Sequence, residues 1–265
     1  MNLLSRATLS DVRLVPFPHL VVCEALEPKV YAALASSFPS SDIIAGTRIL
    51  DQSVGNRRYS MPAWPLMLRN DFSPVWKHFL ERHTSAEFFQ AVVTMFEGQW
   101  DSRIAERLKA AAPHSPGLLY RDDYRNNTVL ADARIEINSP VGSSASSPRG
   151  AHLDTPNRLY SGLFYLRDEA DDSIGGELEL FRWKSEPIEA IDRFELPADR
   201  LERVATIPYR PNQFVLFPQS IFALHGVGIR HPTPHMRRYV FITAEIEEDW
   251  LMARPPEFSL SADRR

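Results

Sequence analysis

A chain of 265 residues, of which 44% are hydrophobic and 24% are charged, can bury a core and is not expected to be disordered. Its net charge of −4 gives no electrostatic support for binding nucleic acid or an acidic membrane surface. The single cysteine, and the absence of any signal-peptide pattern or apolar run near ~20 residues, predict a cytoplasmic protein that does not cross a membrane.

The first 130 residues predict a strand followed by helices. Residues 15–22 form an apolar run whose prolines suit an edge strand. Four helices with apolar faces are then expected, beginning near Pro28, Trp76, Thr84 and Asp101. Such helices would bury their apolar faces against one side of a sheet.

The second half of the chain predicts short strands separated by turn residues. Eight runs fit this description, at residues 133–138, 152–155, 161–166, 177–183, 203–209, 213–217, 223–229 and 236–246. Regularly spaced short strands are typical of a sandwich or jelly roll. We expect a single, mainly β domain, with supporting helices in residues 1–130, a core in 131–248 and a tail in 249–265.

Two histidines and one aspartate form the pattern that most constrains the chemistry. His152 and Asp154 are two residues apart, and a strand projects such residues to the same side. Together with His225 they match the ligand set that holds a non-haem Fe(II) ion on one triangular face and leaves the opposite positions open. His231 and His235 are the alternatives for the third ligand.

Residues 134–247 resemble the Fe(II)/2-oxoglutarate-dependent oxygenases of the prolyl-hydroxylase type. The resemblance is carried by HLDTPN (152–157), SGLFYL (161–166), GGELELF (175–181), QFVLFP (213–218), HGV (225–227) and RRYVFIT (237–243). It implies a double-stranded β-helix in which His152, Asp154 and His225 bind Fe(II). It also implies 2-oxoglutarate and O₂ as cosubstrates.

The resemblance further implies which residues contact 2-oxoglutarate. Arg238 matches the basic residue that pairs with the distal carboxylate of the cosubstrate. Arg237 is the alternative, because a one-residue register error exchanges the two faces of a strand. Tyr165 matches a tyrosine that hydrogen-bonds the same carboxylate. Asn138 stands where relatives often have a tyrosine that contacts the cosubstrate. Asn138 is therefore the candidate for this contact, and the sequence does not decide whether it makes it.

The expected substrate is a small, polar, amino-acid-like molecule, with Arg57, Arg58 and Arg134 as candidate contacts. Residues 139–150 and 54–61 are expected to be mobile loops that close over it. The expected reaction begins with removal of a hydrogen atom from an unactivated C–H bond and leads to hydroxylation, desaturation or ring formation. The alternatives are a prolyl side-chain hydroxylase that acts on a partner protein, and a non-oxidative metal-binding jelly-roll protein.

Overall fold

Two β-sheets and a group of helices make up the computed structural model, which describes residues 1–46, 55–111, 116–187 and 196–252. The described elements, in chain order, are β1 (Val12–Arg13), β2 (His19–Val22), α1 (Pro28–Ser36), α2 (Ser41–Ala45), β3 (Arg58–Met61), α3 (Ala63–Met67), α4 (Pro74–His83), α5 (Ala86–Met95), α6 (Ser102–Ala111), β4 (Gly117–Leu118), β5 (Leu130–Asn138), β6 (Arg158–Tyr165), β7 (Leu178–Trp183), β8 (Leu201–Ile207), β9 (Gln213–Pro218), β10 (His225–Val227) and β11 (Arg237–Glu245).

The larger sheet has eight strands and the smaller sheet has three. The larger sheet follows the order β1-β2-β9-β6-β11-β5-β3, and β4 joins it by parallel pairing with β5. The smaller sheet follows the order β10-β7-β8, with antiparallel pairing. The predicted combination of a β-rich second half and preceding helices is confirmed.

The central strands of the larger sheet are buried on both faces. On the outer face, Val240 of β11 belongs to the same apolar core as Phe79 of α4. On the inner face, Phe241 of β11 belongs to a second core with Leu180 of the smaller sheet. Successive residues of one strand therefore pack in different cores, because side chains alternate between the faces of a sheet.

The helices begin close to the predicted positions. α1 begins at Pro28, as the sequence predicts. α5 is capped by Ser85, whose hydroxyl accepts a hydrogen bond from the Phe88 amide, one residue after the predicted cap at Thr84. Asp101 immediately precedes α6. None of the described helices is both long enough and apolar enough to cross a membrane.

Two segments differ from their predicted conformations. Residues 152–155 were expected to form a strand, but His152 makes only an isolated bridge to His225. Residues 54–61 were expected to be a loop, but Arg58–Met61 pairs with β5 as an edge strand. Residues 253–265 of the predicted C-terminal tail lie outside the described residues.

His83 of α4 is completely buried, and both of its ring nitrogens are hydrogen-bonded. Nδ1 donates to the Phe79 carbonyl at 2.7 Å, and Nε2 accepts from the Leu3 amide at 3.2 Å. Burial lowers the pKa of His83 to about 3. In the unfolded chain the same histidine takes up a proton as the pH falls below about 6.5.

We therefore expect acid to destabilise the fold through His83. Below pH 6.5 the unfolded state binds a proton that the folded state excludes, so the free energy of unfolding falls by about 1.4 kcal/mol per pH unit. Denaturant unfolding between pH 7 and pH 5 measures this slope, which His83→Leu should reduce. The exposed His78 lies on the same helix, so His78→Leu is the control that should leave the slope unchanged. If the free energy of unfolding of His83→Leu fell with pH as steeply as that of the unmodified protein, His83 would not be the cause.

Candidate metal centre

His152, Asp154 and His225 come together at one point, and all three side chains are buried. Each contributes a ligand atom that lies within 4.8 Å of the other two. Asp154 Oδ1 lies 3.7 Å from His152 Nε2, and Asp154 Oδ2 lies 3.6 Å from His225 Nε2. Ligand atoms about 2.1 Å from a shared ion lie about 3 to 4 Å apart, so the spacing fits one metal ion.

Backbone hydrogen bonds orient the two imidazoles. The His152 amide donates to the His225 carbonyl at 2.8 Å, and the reciprocal bond is 3.1 Å. Nδ1 of His152 lies 2.8 Å from the Gly150 carbonyl, and Nδ1 of His225 lies 2.9 Å from the Ala223 carbonyl. A carbonyl can only accept, so each Nδ1 carries the hydrogen and each Nε2 offers a lone pair, as in metal-binding histidines.

Asp154 is held by donors on both carboxylate oxygens. The Ser161 hydroxyl donates to Oδ2 at 2.5 Å, and Arg158 Nη1 lies 3.1 Å from Oδ1. Burial opposes ionisation, but the neighbouring Arg158 charge and the histidines hold the pKa of Asp154 well below its usual range. Burial also lowers the pKa of His225 to about 3. Asp154 is therefore a carboxylate and His225 a neutral imidazole, which are the protonation states that bind metals.

The two alternative histidines lie outside this group. His231 is exposed, and its amide donates to the Ile174 carbonyl. Nε2 of His235 lies 3.4 Å from the Asp172 carboxylate. The donor set at the centre is thus two imidazoles and one carboxylate, which suits a non-haem Fe(II) ion with open positions for other ligands.

A cavity that is open to solvent adjoins the three ligands. Both sheets contribute to its walls, since Leu163 belongs to the larger sheet and Leu178 to the smaller one. Its polar walls include Arg58, Glu136, Asn138, Arg149, Arg237 and Tyr239.

The structure corrects the expected orientation of the two arginines on β11. Arg237 is buried and lines the cavity. Arg238 projects from the opposite face, where Nη1 lies 2.8 Å from the Asp168 carboxylate and the guanidinium lies over the Phe38 ring. Because β11 is buried on both faces, its pattern of polar and apolar residues does not identify the face that lines the cavity. The sequence therefore favoured Arg238 as the inward residue, one position away from Arg237.

Arg237 is enclosed by aromatic rings. Its guanidinium carbon lies 5.0, 5.1 and 4.7 Å from the ring centroids of Tyr165, Tyr209 and Tyr239, respectively. Nε donates to the Gly176 carbonyl at 3.0 Å, whereas Nη2 has no hydrogen-bond partner among the described residues. A buried cation is costly without an anion, so this arrangement favours an anionic ligand.

Asn138 and Tyr165 lie next to Arg237. Asn138 of β5 is directly opposite Arg237 in the sheet, and Tyr165 of β6 is directly opposite Tyr239. Within the described part of the chain, neither amide atom of Asn138 nor the hydroxyl of Tyr165 has a hydrogen-bond partner. Buried polar atoms without partners are rare, which makes both residues candidate ligand contacts.

The three arginines predicted to contact substrate occupy different environments. Arg58 lines the cavity and is exposed at its mouth. Arg57 does not line it, and its guanidinium lies 5.7 Å from the Tyr59 ring centroid. Arg134 is also outside the lining, since it forms a 2.9 Å ion pair with Asp132. The structure therefore places only Arg58 of the three at the cavity.

The segment 139–150 is anchored to its surroundings instead of being a free loop. Val141 forms a β-bridge with Thr233, and Ser146 forms one with Arg230. The end of the segment, at Pro148 and Arg149, lines the cavity. This segment therefore contributes a wall whose backbone is held by hydrogen bonds.

Five polar residues of the site were not predicted from the sequence: Glu136, Arg149, Arg158, Ser161 and Tyr239. The alternation of β5 puts Glu136 on the same face as Asn138, and this signal could have found it. The contacts of Arg158 and Ser161 with the metal-binding carboxylate depend on the turn before β6, which no local pattern indicates.

We expect Ser161→Ala to weaken metal binding without unfolding the protein. Removing a hydrogen bond that orients a ligand typically lowers metal affinity about 10- to 100-fold. Titration of the protein with Fe(II) under anaerobic conditions measures the change. Thr243→Val is a matched control, since Thr243 is equally buried and directly opposite Ser161 on the neighbouring strand. Equal weakening in both variants would show that the Ser161 hydrogen bond has no special role.

Comparison with known proteins supports the fold. No family model matches the chain, and no curated protein does. A prolyl 4-hydroxylase from Phytophthora capsici aligns with 86% of this chain and 59% of its own, at 16% identity and a TM-score of 0.50. A prolyl-4-hydroxylase from Pseudomonas putida aligns with 90% of this chain and 98% of its own, at 14% identity and the same TM-score.

A third structure, a bsmA homolog from Methylobium petroleophilum, aligns with 93% of this chain and 94% of its own, at 14% identity and a TM-score of 0.50. The chain spans somewhat more than half of the Phytophthora protein, at 59% of its length. At the level of fold, the resemblance to prolyl-hydroxylase-type oxygenases is confirmed.

Proposed function

We propose that this protein is an Fe(II)- and 2-oxoglutarate-dependent oxygenase. One observation carries the proposal: a group of two histidines and one aspartate shares a cavity with Arg237, a buried arginine whose Nη2 has no partner among the described residues. The two histidines and the aspartate fit an iron ion, and the arginine favours a carboxylate. A ligand that chelates the metal and ends in a distal carboxylate would satisfy both.

Within this proposal six residues have defined roles, and all of them except Tyr165 line the cavity. His152, Asp154 and His225 would hold the iron. Arg237 would bind the distal carboxylate of 2-oxoglutarate in place of the predicted Arg238, and Tyr165 and Asn138 would donate to the cosubstrate. When bound, iron with its two cosubstrates supplies the oxidising power that breaks a C–H bond. The chain selects which C–H bond is placed nearest.

We propose a small, polar, amino-acid-like substrate and an outcome of hydroxylation, with desaturation or ring formation as alternatives. The cavity is open to solvent, and most of its polar wall residues are charged or amide-bearing, as a polar substrate requires. We further propose that the two sheets form a double-stranded β-helix, and that residues 1–265 act as one domain.

Anaerobic addition of Fe(II) and 2-oxoglutarate tests the function directly. We expect one iron ion per chain and a visible charge-transfer band that forms only when both are present. Admission of O₂ should then produce succinate, faster with a substrate than without one. Metal binding without any band would favour the non-oxidative alternative. Stimulation by proline-containing peptides, but by no small molecule, would favour the protein hydroxylase.

A further inference from the structure

Three neighbouring strands present a row of polar side chains on the inner face of the larger sheet. Arg58 of β3 and Arg237 of β11 both lie directly opposite Asn138 of the central strand β5. The two arginines are thus two strand spacings apart, about 10 Å between their backbones. Each of the three residues lines the cavity. The cavity therefore has a second cation that is separate from the proposed cosubstrate arginine.

Glu136 is the acidic partner of Arg58 in this wall. It lies two residues before Asn138 on β5, directly opposite Tyr239. The negative charge of Glu136 raises the pKa of Arg58. Glu136 is buried, whereas Arg58 is exposed at the mouth. The wall thus carries an adjacent positive and negative charge.

Several polar atoms of this wall have no partner among the described residues. They are Oε2 of Glu136 and both amide atoms of Asn138, all of which are buried. Leaving such atoms unpaired typically costs about 1–3 kcal/mol each, and more for a charged group. Their presence in a cavity wall next to a metal-binding group indicates a bound molecule that supplies both donors and an acceptor.

We propose that Arg58, Glu136 and Asn138 form a subsite for the charged head group of a free α-amino acid. Arg58 binds the carboxylate through parallel hydrogen bonds, and Oε2 of Glu136 accepts from the ammonium. The Asn138 amide oxygen, which the proposed donation to 2-oxoglutarate does not use, also accepts from the ammonium. This assignment rests on the proposed oxygenase function and names the substrate class for it. The substrate side chain then extends toward the metal centre, where its C–H bond reacts.

Charge complementarity selects a zwitterion over an anion or a cation. A simple carboxylate would pair with Arg58 but lie close to Glu136, which repels it. A simple amine would pair with Glu136 but lie close to Arg58, which repels it. Of the other two cavity cations, Arg237 is assigned to 2-oxoglutarate, and Arg149 lies 3.8 Å from Asp154 on the metal side. A head group with one negative and one positive charge can pair with Arg58 and Glu136 at the same time.

The protein loaded anaerobically with Fe(II) and 2-oxoglutarate is titrated with L-amino acids and with their N-acetyl and carboxamide derivatives. The charge-transfer band and calorimetry are two independent readouts. We expect at least one free amino acid to shift the band. Its two derivatives should bind about 10- to 100-fold more weakly, because each lacks one charge-assisted contact.

Variants assign the effect to the wall. Glu136→Gln, which preserves shape, and Arg58→Gln should each weaken amino-acid binding about 10- to 100-fold while the band with 2-oxoglutarate still forms. Arg57→Gln is the matched control, since Arg57 is adjacent in sequence but does not line the cavity.

Three results would overturn the subsite. They are an N-acetylated derivative that binds as tightly as the free amino acid, an unchanged affinity in Glu136→Gln, and the absence of calorimetric binding by any free amino acid. If no free amino acid binds but the charge-transfer band with Fe(II) and 2-oxoglutarate still forms, the oxygenase function stands and only the subsite is overturned. Absence of the band, with calorimetric binding retained, would contradict the oxygenase function and support the head-group site.

Discussion

Replacing His225 with alanine is expected to reduce 2-oxoglutarate turnover to the level of the metal-free protein. Three ligand atoms surround the candidate metal position, and loss of one leaves an imidazole and a carboxylate that cannot hold the ion on one face. The backbone bonds between His225 and His152 do not involve the side chain, so the local chain path should persist.

Iron content after gel filtration and succinate production measure the two consequences of His225→Ala. A near-native circular dichroism spectrum would exclude loss of folding as the cause. His231→Ala and His235→Ala are the matched controls, because both histidines lie near β11 and outside the ligand group. Normal iron content in His225→Ala, with loss in either control, would reassign the third ligand.

Replacing Arg237 with glutamine is expected to raise the half-saturating concentration of 2-oxoglutarate about 30- to 1,000-fold. Losing a buried, charge-assisted contact with a carboxylate costs about 2–4 kcal/mol, and each 1.4 kcal/mol is tenfold in affinity. Iron binding should change little, since Arg237 is not a metal ligand. Anaerobic titration of the charge-transfer band measures the affinity directly.

Arg238→Gln is the natural control for this prediction. Its ion pair with Asp168 is partly exposed, and such pairs contribute about 0–1 kcal/mol to stability. We expect it to leave 2-oxoglutarate affinity nearly unchanged. Arg237→Lys separates charge from geometry, because lysine retains the cation but not the paired donors. A strong effect in Arg238→Gln and none in Arg237→Gln would show that Arg238 binds 2-oxoglutarate, as the sequence predicted.

Local patterns in the sequence predicted most of the helices and strands. A proline or an N-cap residue marks the start of several helices, because it determines the backbone at that position or pairs the first amides. Strand β9 was predicted from a short apolar run that ends at a proline. The exceptions, residues 152–155 and β3, are segments whose hydrogen-bond partners lie far away in sequence.

The sequence by itself identified the candidate metal-binding group. The spacing of His152 and Asp154 predicted a shared side of the chain, although residues 152–155 form no strand, and the strand that carries His225 was recognisable from its flanking turns. These are properties of short segments, so they require no knowledge of the sheet order.

Tertiary structure alone decided which residues accompany that group. β11 is buried on both faces, so only its pairing with β5 shows that Arg237, and not Arg238, shares a face with Asn138 and Glu136. Ser161 and Arg158 reach Asp154 only because the chain turns between them. Register and turn geometry depend on hydrogen bonds between segments distant in sequence, and a single residue's shift in register moves every side chain to the other face.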